Sequence, residues 1–190
     1  AFLEALAERG CTPWGVDVNS HAVRAAKARV PVATVRAGSL SDLLGKAPPF
    51  GAAILSDVIE HLHDPAAELA TLHRLLAPGA RIVVLTPDIG SLSARLMGRH
   101  WPHIKREHLC YFTRRSLTDC LARAGYTGIR VTASRKPLTL AYAVRQLTVY
   151  PQPVLSPAVR MLGRLLPRPV LDTLIRLPMG EMLATAQKPG

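Results

Sequence analysis

Between residues 13 and 85, short apolar runs of strand length alternate with stretches of helical spacing, and the links between them are only a few residues long. The alternation predicts strands over 13–18, 32–36, 52–55 and 80–85, with helices over 21–29 and 66–76. A chain that passes through a helix between successive strands builds a doubly wound, mostly parallel sheet. The run 50–55 contains no polar residue and no two-residue alternation, as expected of a strand covered on both faces of such a sheet.

The flanks extend this α/β pattern. Residues 1–9 open in a helix, with Phe2, Leu3 and Leu6 at helical spacing and Gly10 just past its end. Beyond Pro87 come helices over 91–98 and 114–124, the second capped by Thr113 and ended by Gly125, and then a strand over 128–133. From 137 to 180 the texture changes to apolar helical segments broken by Pro151, Pro153, Pro157, Pro167 and Pro169. Residues 181–187 return as a last edge strand. The expected organisation is a core over 1–136, a basic apolar helical insertion over 137–180, and the edge strand with its tail over 181–190.

Parallel sheets present chemistry at the carboxyl ends of their strands, and two such ends stand out. The run ending at Leu55 opens into Ser56, Asp57, Glu60 and His61. If the chain turns helical at Ser56, Asp57, Glu60 and His61 share one face and can bind protons or a metal together. Alternatively, Glu60 and His61 only order the loop ahead of a helix that starts at Asp64-Pro65, a sequence suited to an N-terminus. His61, His63 and Asp64 lack the further histidine spacing of a metallohydrolase cluster. The other end is Gly15-Val16-Asp17-Val18-Asn19, which closes an apolar strand with one acid before a helix. A carboxylate there accepts both hydroxyl protons of a ribose, although Asp17 or Asn19 equally serves as a helix cap.

Charge and cysteine content narrow the classes. The net charge of +11 favours acidic partners, but only 5% of residues are aromatic, too few for a base-stacking platform, so no nucleic acid is expected. Cys11, Cys110 and Cys120 are odd in number and lack metal or redox spacing, which reads as reduced thiols in a cytoplasmic setting. No apolar stretch reaches the length that spans a bilayer. Residues 156–168 set Arg160, Arg164 and Arg168 four apart beside Val159, Leu162, Leu165 and Leu166. Such a basic amphipathic helix makes peripheral membrane contact, lies as a lid over an apolar substrate, or simply solvates its arginines.

Taken in order, several motifs resemble the class I S-adenosylmethionine-dependent methyltransferases, particularly the subgroup of ubiquinone-biosynthesis O-methyltransferases. They are Phe2-Leu3 to Gly10, Gly15-Val16-Asp17, Ala22 to Ala28, and Asp57-Val58-Ile59-Glu60-His61 with Asp64-Pro65. Leu75-Leu76 with Pro78-Gly79, Thr86-Pro87-Asp88, His108 with Tyr111-Phe112-Thr113, and Ala124-Gly125-Tyr126 continue the series. The resemblance implies a seven-stranded, Rossmann-like sheet with an antiparallel last strand, and a methyl group moving from S-adenosylmethionine to a small-molecule acceptor, by expectation at oxygen. It places Asp17 on the ribose hydroxyls, Val18 against adenine, Gly38, Ser39 and Leu40 along the adenine edge, and Ser56 under the methionine part. Ser39 stands where many members have an acid for the adenine amino group, which leaves that contact to backbone or hydroxyl.

The family's first strand and Gly-rich loop belong ahead of Ala1, so the chain is expected to be a fragment lacking its N-terminal segment and to bind cofactor weakly. Relatives that methylate catechols or RNA terminal ribose use an acid-x-x-Glu-His pattern with a later histidine as divalent-cation ligands. Asp57, Glu60, His61 and His108 occupy that pattern here, implying a Mg²⁺ or Mn²⁺ site. Without a cation, His61 or His108 serves as general base beside Glu60. Two rival readings are a nicotinamide-dependent oxidoreductase, which needs a dinucleotide fingerprint upstream, and a non-catalytic module that binds a membrane or partner through its basic tail.

Overall fold

A computed structural model of the chain describes residues 2–134, 136–139, 167, 172, 174–177 and 180–190. The chain packs as two compact units, Ala1–Pro49 and Phe50–Gly190, each of which repeats the strand-then-helix logic of the sequence.

In the first unit, α1 (Phe2–Ala7), β1 (Trp14–Asp17), α2 (Ser20–Arg29) and β2 (Thr34–Ala37) precede a 3₁₀ turn at Leu40–Leu43. Asn19 starts α2 because its side-chain oxygen accepts the N–H groups of His21 and Ala22, two donors that a helix end leaves orphaned. The strands pair in parallel and end level, with Asp17 opposite Ala37. Val23, Val30, Ala33 and Val35 form the core, with Leu3, Ala7 and Ala26 packed on it.

The second unit contains β3 (Phe50–Ser56), a 3₁₀ turn (Ile59–His61), α3 (Pro65–Leu75), β4 (Leu76–Pro87), α4 (Leu92–Met97), a further 3₁₀ turn (Gly98–His100) and α5 (Arg114–Arg123). Strands β5 (Thr127–Ala133), β6 (Lys136–Thr139), β7 (Leu174–Leu177) and β8 (Glu181–Gln187) follow. The main sheet has the order β3-β4-β8-β5. β3 and β4 run parallel, and β8 is antiparallel to both β4 and β5. Its core joins Leu69 and Leu72 of α3, Ile82 and Val84 of β4, Leu117 and Leu121 of α5, and Met182 and Ala184 of β8. Asp64 and Thr113 cap α3 and α5 through the N–H groups of Ala67 and Ser116. At the other end of α3, the Lys188 ammonium donates to the carbonyls of His73 (2.8 Å) and Leu76 (2.7 Å). A cation there satisfies carbonyls the helix cannot and faces the negative end of its dipole.

The sequence reading is corrected in four places. β8 is not an edge strand: it lies between β4 and β5, so among the described residues the edges of the main sheet are β3 and β5. β3 is not covered on both faces: Gly51, Ala52 and Ile54 are exposed and only Leu55 is buried. It pairs with β4 alone among the described residues. α3 ends at Leu75, ahead of Pro78-Gly79, because Leu76 pairs with Phe50 and opens β4, with a register shift before Ala52 meets Arg81. Both ends of the 137–180 stretch are strands, β6 and β7, paired antiparallel where helices were expected. The amphipathic helix expected over 156–168 lies outside the described residues, Pro167 excepted. No helix among the described residues is long and apolar enough to cross a membrane.

Candidate active site

The chain does not turn helical at Ser56. Asp57 takes φ 53°, a left-handed conformation that side chains rarely adopt, and its Oδ2 accepts the Ser56 hydroxyl at 3.1 Å. The 3₁₀ turn begins only at Ile59, so exposed Asp57 points elsewhere while Glu60 drops into the interior, 1% exposed.

What reaches Glu60 is a strap from far along the chain. The Glu60 carbonyl accepts the N–H groups of Leu109 (2.8 Å) and Cys110 (3.1 Å), and His61 Nδ1 lies 2.8 Å from the Glu107 carbonyl. These bonds seat His108 against His61, their ring centroids 4.8 Å apart and edge-on. Ligand-bearing atoms of Glu60, His61 and His108 then all lie within 4.8 Å of one another, a group that does not include Asp57. Since a carbonyl only accepts, Nδ1 of His61 carries the proton and Nε2 keeps the lone pair, an assignment made from this bond. Glu60 Oε2 accepts the buried Thr86 hydroxyl at 2.8 Å. Glu60 Oε1 and His108 Nδ1 are buried without a hydrogen-bond partner. Each orphan costs about 1–3 kcal/mol, and such groups tend to persist where function requires them.

Two supports of this cluster escaped the sequence reading. Thr86 was visible only as part of a motif; its signal is position, at the carboxyl end of β4 beside the end of β3. Asp88 is buried and accepts from the Gly90 N–H (2.9 Å) and Arg114 Nε (3.3 Å), while its own N–H donates to the Gly180 carbonyl. It also bridges to Phe112, which anchors the strap carrying His108. Burial, followed by the nearby Glu60 carboxylate, pushes the Cys110 thiol above its ordinary range. No disulfide forms: all three cysteines are free.

The first unit gathers Asp17, Gly38, Ser39 and Asp42 at the carboxyl ends of its two strands. Gly38 donates its N–H to the Asp17 carbonyl at 3.1 Å and takes φ 137°, where an added Cβ would stand 2.5 Å from Asp42 Oδ2. Asp17 Oδ1 accepts the Asn19 N–H at 2.8 Å, and among the described residues nothing donates to Oδ2. Val18 beside it is 84% exposed, and Leu40 is half-buried at the start of the 3₁₀ turn.

Ser39 does not present a free hydroxyl, because its N–H (2.8 Å) and its Oγ (3.0 Å) both donate to Asp42 Oδ2. Those two bonds hold the Asp42 carboxyl below the usual range. An acid therefore does stand beside Gly38, three residues beyond the position where one was sought. The strand ends thus present an exposed carboxylate at Asp17 with an exposed apolar side chain, Val18, beside it, while the space that a Cβ would take at Gly38 is filled by the Asp42 carboxylate.

A family model described as a methyltransferase domain matches residues 1–131. No curated protein matches the sequence. Similar solved structures include an S-adenosylmethionine-dependent methyltransferase from Archaeoglobus fulgidus, 19% identical over 98% of this chain and 80% of that one, with a TM-score of 0.64. Another from Methanosarcina mazei is 18% identical over 98% and 86%, at 0.57. Phosphoethanolamine N-methyltransferase 2 of Haemonchus contortus, solved with S-adenosyl-L-methionine, is 15% identical over 98% and 45%, at 0.58. Identities this low speak for the fold, whereas the match over 1–131 speaks for the family. This chain belongs to the methyltransferase-domain family and has its Rossmann-like mixed sheet.

Proposed function

We propose that the chain methylates an oxygen of a small-molecule acceptor, with His61 as the base that takes the acceptor's proton and with His108 and Glu60 behind it. The observation that carries this reading is the Glu60, His61 and His108 cluster, in which His61 is exposed and the other two are buried. An acceptor arriving from solvent meets His61 Nε2, whose lone pair is fixed by the bond from Nδ1 to Glu107. A neutral imidazole is suited to general-base work near pH 7.

When bound, S-adenosylmethionine supplies an electrophilic methyl group on a sulfonium. In this reading Asp17 binds the ribose hydroxyls and Val18 packs on adenine. The backbone at Gly38, Ser39 and Leu40, with Asp42, lines the adenine edge. Displacement at the methyl carbon is in-line, so holding the acceptor oxygen in place supplies much of the rate. The base adds about 10²- to 10⁴-fold.

The same cluster also fits a divalent cation. Glu60 Oε1, His61 Nε2 and a His108 ring nitrogen make one oxygen and two nitrogens, a set that takes Mn²⁺ in preference to Mg²⁺ because of the imidazoles. A cation held by these three side chains would supply Lewis acidity, lowering the pKa of an acceptor hydroxyl.

The test is S-adenosylhomocysteine production across a panel of catechols, phenols, quinols and sugars, with and without EDTA. His61→Ala is expected to lower kcat by about 10²-fold or more with the best acceptor, while Asp17→Ala weakens S-adenosylmethionine binding measured by calorimetry. Near-normal turnover in both His61→Ala and His108→Ala would remove the base, and turnover indifferent to EDTA would remove the cation. Methylation confined to amine acceptors, if a wider panel is run, would remove oxygen as the target.

A further inference from the structure

α4 is built the wrong way round for a helix that merely covers a core. Of its six residues only Ala94 is buried, while Leu92 and Leu96 are 72% and 71% exposed. These leucines are four apart and share a face with Arg95, which is also exposed. The inward face is closely packed: a side chain at Gly180 would strike Ser93 Oγ and the Trp101 ring, and Trp101 is 2% exposed.

The chain after α4 continues the theme. Ile104 (46%) and Leu109 (51%) are exposed, with Arg99, Lys105 and Arg106 exposed among them. Glu107 is the only acid between residues 91 and 109, and it sits 4.0 Å from Lys105. Within residues 92–109, four large apolar side chains, four cations and one anion are therefore exposed. Single exposed leucines need no explanation, but exposed apolar side chains concentrated in one short segment whose charges are mostly cationic mark a contact surface.

We propose that residues 92–109 dock on an anionic lipid surface, with Leu92, Leu96, Ile104 and Leu109 entering the headgroup layer and Arg95, Arg99, Lys105 and Arg106 meeting the phosphates. The charge pattern selects this occupant. A second copy of this chain would present the same cations and repel, whereas an anionic membrane matches both the apolar and the basic parts. Long basic side chains also lie along apolar surface while keeping their charged ends at the headgroups. Because the strap that carries His108 begins within this segment, docking brings the candidate active site to the membrane surface, where an apolar acceptor concentrates. The inference concerns binding and holds whatever atom is methylated.

Sedimentation with vesicles tests it, using phosphatidylcholine alone and phosphatidylcholine mixed with phosphatidylserine, over a salt series. The full chain is expected to bind the mixed vesicles and not the neutral ones, with affinity falling as salt screens the charges. Leu92→Ser with Leu96→Ser is expected to weaken binding about tenfold or more. Each of Arg95→Gln and Arg106→Gln should weaken it about fivefold.

Equal binding to both vesicle types, or undiminished binding by the double leucine variant, would overturn the proposal. So would a double variant that unfolds at lower denaturant than the parent, which would mean the chain itself covers these leucines. A dimer in sedimentation velocity that the leucine changes abolish would assign the face to self-association instead.

Discussion

At the scale of single residues, the Thr86 hydroxyl decides how Glu60 is presented. With Oε2 held by Thr86, Oε1 is left for the histidines. Thr86→Val keeps the shape but orphans a second buried carboxylate oxygen, at an expected cost of about 1–3 kcal/mol in urea unfolding; Thr86→Ser should retain most of it. Asp42 answers to pH instead. Its carboxyl is held low by the Ser39 N–H and hydroxyl, so its contribution is present above the ordinary carboxylate pKa and is lost as pH falls through the lowered value. The stability gap between the parent chain and Asp42→Asn should therefore close on acidification below about pH 4. Glu60 and His61 are visible in the sequence as the point where an apolar run opens into titratable side chains. Asp57 stays out of the group because sharing a face with Glu60 and His61 requires helical spacing, and the backbone at Asp57 is left-handed. His108 came only from resemblance, since no local pattern links it to a turn so distant in sequence.

Among the elements, α3 and α5 were the easiest to read and are held by identifiable groups. Asp64→Ala removes the cap of α3 and should cost about 1 kcal/mol by denaturant unfolding. Tyr126, just past α5, donates its hydroxyl to the Leu69 carbonyl of α3 at 3.3 Å, and burial raises the phenol well above its usual value. A raised value in the folded state means stability that is complete below the ordinary phenol pKa and declines as pH rises beyond it. The unfolding midpoint should thus drop above about pH 10, and less steeply in Tyr126→Phe, which itself forfeits about 1 kcal/mol at neutral pH. Element types along 2–133 and 181–187 follow from periodicity and caps. The early start of β4 does not, because only pairing with Phe50 makes Leu76 a strand residue. β6 and β7 were missed since their proline-flanked, leucine-rich text also suits a helix.

For the molecule as a whole, the two units are unequal. A parallel pair over a few buried aliphatics, as in Ala1–Pro49, is near the lower limit of what holds itself together, while the second unit stacks four strands with α3 and α5. Hydrogen exchange should find the amides of β1 and β2 opening at least tenfold more often than those of β4 and β8. The division was not legible, since periodicity reports elements and says nothing of which strands find neighbours. Lys188 makes one corner of the second unit directly observable. Its ammonium is shared by two carbonyls at the end of α3, and its own carbonyl receives the Gly79 N–H at 3.1 Å. An amine-reactive reagent modifies a lysine only when the nitrogen is free, so this one should lag behind exposed Lys27 and Lys46. The rate at which it takes up label is then a clock for the release of that corner, readable by mass spectrometry without any substitution.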